Sequence, residues 1–418
     1  MTRAVNSSVG SEPLCRSCAA RGLLVFLSLG ALPLPDALLR RDQLSSHEPT
    51  FPLDVAFCPR CSLVQLVGDV PPEKMFVDNY LYFSSFSDHL LEHSARHAKE
   101  LISRRDLGAD DLVVEIASND GYLLRNFVEA GVPVLGIDPS PGPAAAAREL
   151  GIPTLEEFFG IEVAKRLVED GKKADVIIAN NVMAHVPDLT SFVGGMAHLI
   201  AHDGVIVVEN PSITKLIEQV AFDTIYHEHT CYYSCTSVQN LVQLHGLHLN
   251  HVEEFPELHG GTLRWHISRS PGRSHALESH LTWEQELGVS RLAYYTGFGE
   301  QVRTTASEIR ELLRNLRDQG RSIAAYGAAA KGTVLLNYVG IDADLIDFVV
   351  DRNHHKHRLY MPGVHIPIRP VSALLDQQPD YTLLLAWNFA GEIMRQQQEY
   401  IDQGGRFIHP IPQPEVLP

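Results

Sequence analysis

Two cysteine pairs, Cys15-Arg16-Ser17-Cys18 and Cys58-Pro59-Arg60-Cys61, constrain the start of this chain more than any other feature. Two thiolates at CxxC spacing sit on one knuckle turn and bind one metal, and two such knuckles complete a tetrahedral all-cysteine zinc site with no open position. A closed site of that kind builds a fold and does no chemistry. Paired disulfides are disfavoured in a reducing compartment, and a redox CxxC is disfavoured because neither pair follows a strand and opens a helix. Cys15, Cys18, Cys58 and Cys61 are therefore expected to hold a structural Zn2+. A module of about 70 residues buries too little to be secure by its core alone, which is a reason to staple it with metal. Strand-like runs at 24–27 and 63–67 surround the knuckles, and Val70-Pro71-Pro72 closes the unit.

At 418 residues the chain exceeds the size at which one core keeps growing, so further domains must follow. From Asp111 strand and helix patterns alternate: Leu112–Ile116, a turn at Ala117-Ser118-Asn119-Asp120-Gly121, a helical run from Tyr122, then Val134–Ile137 ending at Asp138. Such a unit is one nucleotide-binding half of a doubly wound sheet. A dinucleotide fold wants GxGxxG so that the backbone can approach a pyrophosphate, yet these positions carry Ala117, Asn119 and only Gly121. A cofactor without phosphate makes no such demand, and S-adenosylmethionine is the expectation. Glu115 would order the turn, and Asp138 would take both ribose hydroxyls. Further strands end at Asn180, Asn181 and His185 and at Glu209, and all four are expected to face one crevice, because ligands sit beyond the carboxyl ends of open sheets. A strand entered from 258–265, through the double glycine Gly260-Gly261, should join the sheet edge. Tyr80 and Tyr82 read as a lid or as aromatic packing. A second unit repeats the grammar at 322–332, where the small-residue turn and Lys331 suit a phosphate or, equally, an ordinary strand–helix turn.

Composition removes several classes. The net charge of -17, from 51 acidic against 34 basic residues, and the absence of any Lys/Arg block interleaved with aromatics exclude a nucleic-acid partner. The apolar stretch Gly22 to Pro35 is short and broken by Pro33 and Pro35, so neither a membrane span nor a signal peptide is expected, and a cytoplasmic location fits the cysteines.

Residues 222–233, Phe-Asp-Thr-Ile-Tyr-His-Glu-His-Thr-Cys-Tyr-Tyr, gather Tyr226, His227, His229, Tyr232 and Tyr233 around the carboxylate of Glu228. Imidazole titrates near neutral pH, and an adjacent Glu can orient the ring and stabilise its cation, as a general base requires. A polar edge strand or loop is the plainer alternative.

Taken in order, the paired knuckles, EIASNDGYLL, NNVMAHVPD, FDTIYHEHTCYYS, LHGGTLR, YGAAAKG and AWN resemble the three-domain sugar C-methyltransferases that act on nucleotide-linked deoxysugars in antibiotic pathways. The resemblance covers nearly the whole chain. It implies a zinc domain (1–74), a class I Rossmann-like methyltransferase domain (75–305) and a Rossmann-like α/β domain (306–418), working as a monomer on a ring carbon beside a 4-keto group. It makes His229 the general base with Glu228 and Tyr226 beside it, and places His185 and Tyr80 at the sugar. Tyr122 is enlisted on the cofactor side, and Tyr82, His227, His259, Lys331 and Asn388 on the substrate side. The nucleotide diphosphate would lie between the central and terminal domains. Sugar O- or N-methylation, an NAD-dependent oxidoreductase or epimerase, and a non-catalytic zinc-dependent binding protein are the rival readings.

Overall fold

A computed structural model describes residues 12–68, 70, 83–256, 258 and 260–417. Tyr80, Tyr82 and His259 lie outside the described residues. The first unit is a small antiparallel sheet of β1 (Leu24–Pro33), β2 (Thr50–Phe57) and β3 (Val64–Leu66), flanked by the two cysteine knuckles.

The central unit contains β4 (Val113–Ile116), β5 (Val134–Ile137), β6 (Thr154–Leu155), β7 (Ala174–Asn180) and β8 (Ile200–Pro211), paired in parallel in the order β6-β5-β4-β7-β8. Their apolar runs suit strands covered on both faces. β9 (Cys231–Tyr232) leaves this unit and pairs with β3. β10 (His248–Phe255) and β11 (Thr262–Ser268) complete the sheet antiparallel to their neighbours. The glycine-led strand is therefore not the edge. β11 lies between β8 and β10, and the edge goes to β10, whose polar positions 248, 250, 251 and 253 hid it from a hydrophobic scan. The double glycine makes an ordinary tight turn: Gly261 has φ +114, and a Cβ there would sit 2.8 Å from Lys215 Cγ.

The helix Phe298–Asp318 runs unbroken through residue 305 into the third unit. There β12 (Ile323–Tyr326), β13 (Val349–Asp351), β14 (Ile368–Pro370), β15 (Tyr381–Leu384) and β16 (Arg406–His409) pair in parallel in the order β14-β13-β12-β15-β16, and β17 (Glu415–Leu417) closes the edge antiparallel. One continuous core joins Leu27, Leu53 and Val55 of the first sheet to Val302, Ile309 and the strands of the third unit. The zinc module thus borrows a core as well as using a metal staple. Among the described residues no helix is long and apolar enough to cross a membrane.

Candidate active site

All three units wall one cleft of about 1300 Å³. Its central part lies where β4 and β7 diverge, the topological switch point at which open sheets bind ligands. Ala117, Asn119 and Tyr122 from the first turn, Asp138 from the end of β5, and Asn180 and Asn181 from the end of β7 all line it. The turn is held tightly. Ala117 and Asn119 adopt left-handed φ of 57° and 48°, conformations that cost non-glycine residues energy and cluster at functional sites. Asp138 Oδ2 accepts the Asn119 amide at 2.9 Å and Oδ1 the Ser140 amide at 2.8 Å, and the Ser140 hydroxyl bonds the carboxylate as well. Burial pushes the Asp138 carboxyl up, and the two amides together with the Ser140 hydroxyl oppose the shift. Asn119 Oδ1 in turn accepts the Ser84 amide, fastening the segment before the helix Asp88–Arg105 onto the turn.

Two residues expected at the cofactor are not part of the cleft wall. Gly121 (φ 78°) is needed for packing, since a Cβ there would lie 2.3 Å from Ile152 Cδ1. Glu115 is buried at the end of β4 with no hydrogen-bond partner for either oxygen among the described residues, and burial followed by the charges of Asp138 and Asp120 pushes its carboxyl well up. Glu209 is also turned away. His93 and Arg264 bond it from the helix Asp88–Arg105 and from β11, and against the effect of burial they hold its carboxyl down to about 2. Its neighbour Asn210 faces the cleft instead, as strand alternation requires.

The wall suits adenosylmethionine. It offers an acid with two acceptors for ribose hydroxyls, buried carboxamide oxygens of Asn180 and Asn181 that have no partner among the described residues, and no Lys or Arg among the described lining residues from 84 to 232. The cysteines suit zinc equally well. Cys15 and Cys61 bring their sulfurs to 3.5 Å, Cys18 and Cys58 to 3.7 Å, and all four atoms lie within 4.8 Å of one another. A zinc–sulfur bond of about 2.3 Å implies tetrahedral edges of about 3.8 Å.

The 222–233 segment enters the cleft from the side of the first sheet. His229 lines the cleft, its Nδ1–H given to the Thr224 carbonyl at 3.0 Å and its Nε2 2.8 Å from Tyr226 Oη. A ring with Nδ1–H engaged presents Nε2 as its basic nitrogen. His185 stacks edge-on beside it, with ring centroids 4.8 Å apart. Burial pushes His185 down to about 4, opposed by a hydrogen bond to the Glu228 backbone, so the ring is neutral at physiological pH. Tyr232 also lines the cleft. Its buried hydroxyl has no hydrogen-bond partner among the described residues, and burial pushes it well above the ordinary phenol value.

The segment does not gather around the Glu228 carboxylate as its sequence suggests. That carboxyl lines the cleft but bonds Asp36 of the first unit, with Lys356 of the third nearby; burial, then Asp36, pushes it well up. Thr224 orients His229 in its place. His227 points to the Phe51 carbonyl at 3.0 Å and does not line the cleft. Tyr233 is core, its hydroxyl bonded to the Met183 carbonyl and its ring edge-on to Trp265. From the third unit Lys331 and Asn388 reach the cleft, with Nζ 2.8 Å from Asn388 Oδ1 and 4.9 Å from the Trp387 ring centre. Burial pushes the Lys331 ammonium down, and Asp223 opposes it. The reading from sequence assigned no role to Tyr232, Asp36, Lys356, Asn353 or Asn210. Tyr232 lay inside the singled-out segment; the others are isolated polar residues in loops or at a strand end, with no local pattern to mark them.

Fold and site together define a class I S-adenosylmethionine-dependent methyltransferase with a structural zinc module. Residues 15–76 match a family profile described as a zinc binding domain, 88–252 a methyltransferase domain, and 257–412 the C-methyltransferase C-terminal domain. The chain is 34% identical over 96% of its length, and 96% of the other's, to the C-methyltransferase NovU of Streptomyces niveus. A ubiquinone biosynthesis O-methyltransferase of Rhodopseudomonas palustris (strain HaA2) is 30% identical over 31% of this chain and 50% of that protein. Magnesium protoporphyrin IX methyltransferase of Synechocystis PCC 6803, solved with bound SAM, superposes with TM-score 0.34 and 14% identity over 43% of this chain and 79% of that one, a likeness too slight to bear on activity. The chain belongs to the C-methyltransferase family that includes NovU, and it is an S-adenosylmethionine-dependent C-methyltransferase.

Proposed function

We propose that this enzyme methylates a ring carbon next to the ketone of a nucleotide-linked 4-keto-deoxysugar, thymidine diphosphate being the favoured carrier, with His229 as general base. The observation that supports it most is that the hydrogen-bonded His229–Tyr226 pair lines the same cleft as Asp138, Asn180 and Asn181 of the central unit and Lys331 and Lys356 of the terminal unit. A hydrogen α to a ketone becomes removable only when a base of near-neutral pKa meets donors for the developing oxyanion. In this reading the proton ends on His229 Nε2, and the resulting imidazolium keeps its other N–H on the Thr224 carbonyl. Tyr226, whose hydroxyl holds the Nε2 lone pair at rest, yields it or relays the proton. Tyr232 supplies the O–H for the enolate oxygen. His185, neutral and with its ring beside His229, is better suited to accept a sugar hydroxyl than to donate to the oxyanion. Adenosylmethionine supplies an electrophilic sulfonium methyl, and the side chains hold the carbanion within reach of it, which is where proximity contributes most.

The enzyme works as a monomer in this proposal, in which described residues of all three units of one chain line the cleft. A cytoplasmic location agrees with its free cysteines and with thiolates kept for zinc. Solvent exchange tests the base directly. With S-adenosylhomocysteine bound in D2O, the wild type should exchange the hydrogen α to the ketone of thymidine diphosphate-4-keto-6-deoxyglucose, while His229→Ala should not. Equal exchange by both proteins would remove His229 from the role. With labelled adenosylmethionine, a methyl signal on oxygen would reject the carbon acceptor.

A further inference from the structure

A second group of metal-type ligands lies apart from the four knuckle cysteines. Cys235 opens the helix Cys235–Gln243, and His280 and Glu284 stand one turn apart on the helix His275–Leu287. Side chains four residues apart on a helix share a face, so the imidazole and the carboxylate can serve one centre. A donor atom from each of the three residues lies within 4.8 Å of the other two. Cys235 and Glu284 are 0% exposed and His280 is 6% exposed, and none of the three lines the cleft.

Each donor is oriented by a neighbour. His280 gives its Nδ1–H to Glu254 Oε1 at 2.9 Å, which makes Nε2 the basic nitrogen. A carboxylate on the far nitrogen of the ring is the outer-shell partner that metal-bound histidines have. Nε2 itself lies 3.2 Å from Glu284 Oε1 yet has no hydrogen-bond partner among the described residues, a state in which buried polar atoms are rarely left. Two ligands of one zinc ion, at bonds of about 2.0–2.1 Å, stand about 3.3 Å apart without a hydrogen between them, and that is the relation of this nitrogen to this oxygen. Glu284 Oε2 accepts the Thr236 amide at 2.8 Å and the Thr236 hydroxyl at 2.6 Å, while Oε1 accepts the Cys235 amide at 2.7 Å. Cys235 Sγ accepts the Trp265 indole N–H at 3.3 Å, and its place at a helix N-terminus favours the thiolate.

We propose that Cys235, His280 and Glu284 bind a second zinc ion, which braces the helix Cys235–Gln243 against the helix His275–Leu287. Thiolate, imidazole and carboxylate together suit zinc among the divalent metals, with one position left for water. Binding sends the thiol proton to solvent. The 222–233 segment is then fastened by two metal sites, through β9 to the sheet of the knuckle module and through Cys235 just beyond its end. The inference does not depend on the identity of the methyl acceptor.

Zinc titration of the intact enzyme against a chromophoric chelator should count about two equivalents per chain, one for each ligand group. Zinc K-edge absorption of that protein should then give about 2.5 sulfurs per zinc, the mean of four and one, where the knuckle site alone would give about 4. His280→Gln should bind about one equivalent, in all-sulfur coordination. Glu254→Gln, which removes only the outer-shell partner, should keep both sites and weaken the second about tenfold. A single equivalent in the wild type overturns the site and leaves a His280–Glu284 ion pair in its place. A second equivalent that His280→Gln retains at wild-type affinity overturns it too, since that ion sits elsewhere. Should His280→Gln fail to fold, the wild-type sulfur count decides alone, and a value of about 4 refutes the second site.

Discussion

Two clusters of histidines and carboxyls flank the central sheet, and they are built for opposite ends. One, with His185, His229, Tyr226, Glu228 and Tyr232, lines the cleft. The other, with His93, His97, Glu209, Arg264, Glu253 and His266, sits between the helix Asp88–Arg105 and strands β8, β10 and β11, and none of it lines the cleft. The second is the denser in charge. Glu209 alone meets His93 at 3.1 Å, His97 at 3.8 Å and the Arg264 guanidinium, and all four residues are 2% exposed. In the first, His229 bonds a backbone carbonyl and Tyr226, Glu228 turns to Asp36, and Tyr232 keeps an O–H to give. Density of titratable groups is therefore a poor guide to chemistry. What separates the clusters is access to the cleft and a group with hydrogen-bonding capacity left over.

Metal removal should separate them most sharply. The 222–233 segment is stitched to the zinc module through β9 on β3 and through His227 on the Phe51 carbonyl, whereas among the described residues the Glu209 network has no partner in that module. Structural zinc contributes on the order of 10 kcal/mol to a small module. Chelation or Cys58→Ser should abolish methyl transfer while S-adenosylhomocysteine still binds the central unit. Retained activity in zinc-free protein, verified by metal analysis, would show that the module does not hold the loop.

Next in size is the base. His229→Ala should lower kcat by about a thousandfold, within the range for loss of a positioned acid–base group, and shift Tm by no more than about two degrees. Arg264→Ala should show the reverse pattern. It leaves the Glu209 charge buried and unpaired, which destabilises by about 3–5 kcal/mol, yet kcat measured on the folded fraction at low temperature should stay within about threefold. If Arg264→Ala removed activity without lowering Tm, the division between the clusters would fail.

Sequence patterning made one cluster legible and misplaced part of the other. The zinc ligands were readable because CxxC spacing encodes one turn, and the cofactor crevice because strand, turn and acid recur at fixed intervals, so Asp138, Asn180 and Asn181 arrive where spacing predicts. Glu209 was expected in the cleft because strand ends face it, but the pleat alternates and it is Asn210 that points there. Glu228 was expected to orient His229 because the two adjoin in sequence. Adjacent residues in a loop diverge, and its carboxyl went to Asp36, which lies far off along the chain and near only once the units pack. Contacts of that kind, together with Lys331 on Asn388 and Lys356 on the Ala328 carbonyl, belong to tertiary structure and carry no local signature.

The finest contrast between the clusters concerns protons. Burial pushes His97 down to about 3, with Arg264 adding to the effect and Glu209 opposing it, and burial pushes His185 down to about 4. A histidine whose folded pKa lies below its unfolded value near 6.5 binds fewer protons folded than unfolded across the interval between, so its contribution to stability is complete above about pH 6.5 and is lost as pH falls toward the folded pKa. The carboxyls of Glu115 and Glu228, pushed up by burial, act in the opposite sense, because their folded forms hold protons that the unfolded chain has released. These terms partly cancel in the wild type, and the informative quantity is the difference between two proteins. His97→Leu should lose less Tm than wild type between pH 6.5 and 5.5, by an amount equivalent to about 1 kcal/mol, with the pH profile of kcat unchanged. A matching displacement of the kcat profile would mean that the buried network communicates with His229, and the two clusters would then have to be treated as one site.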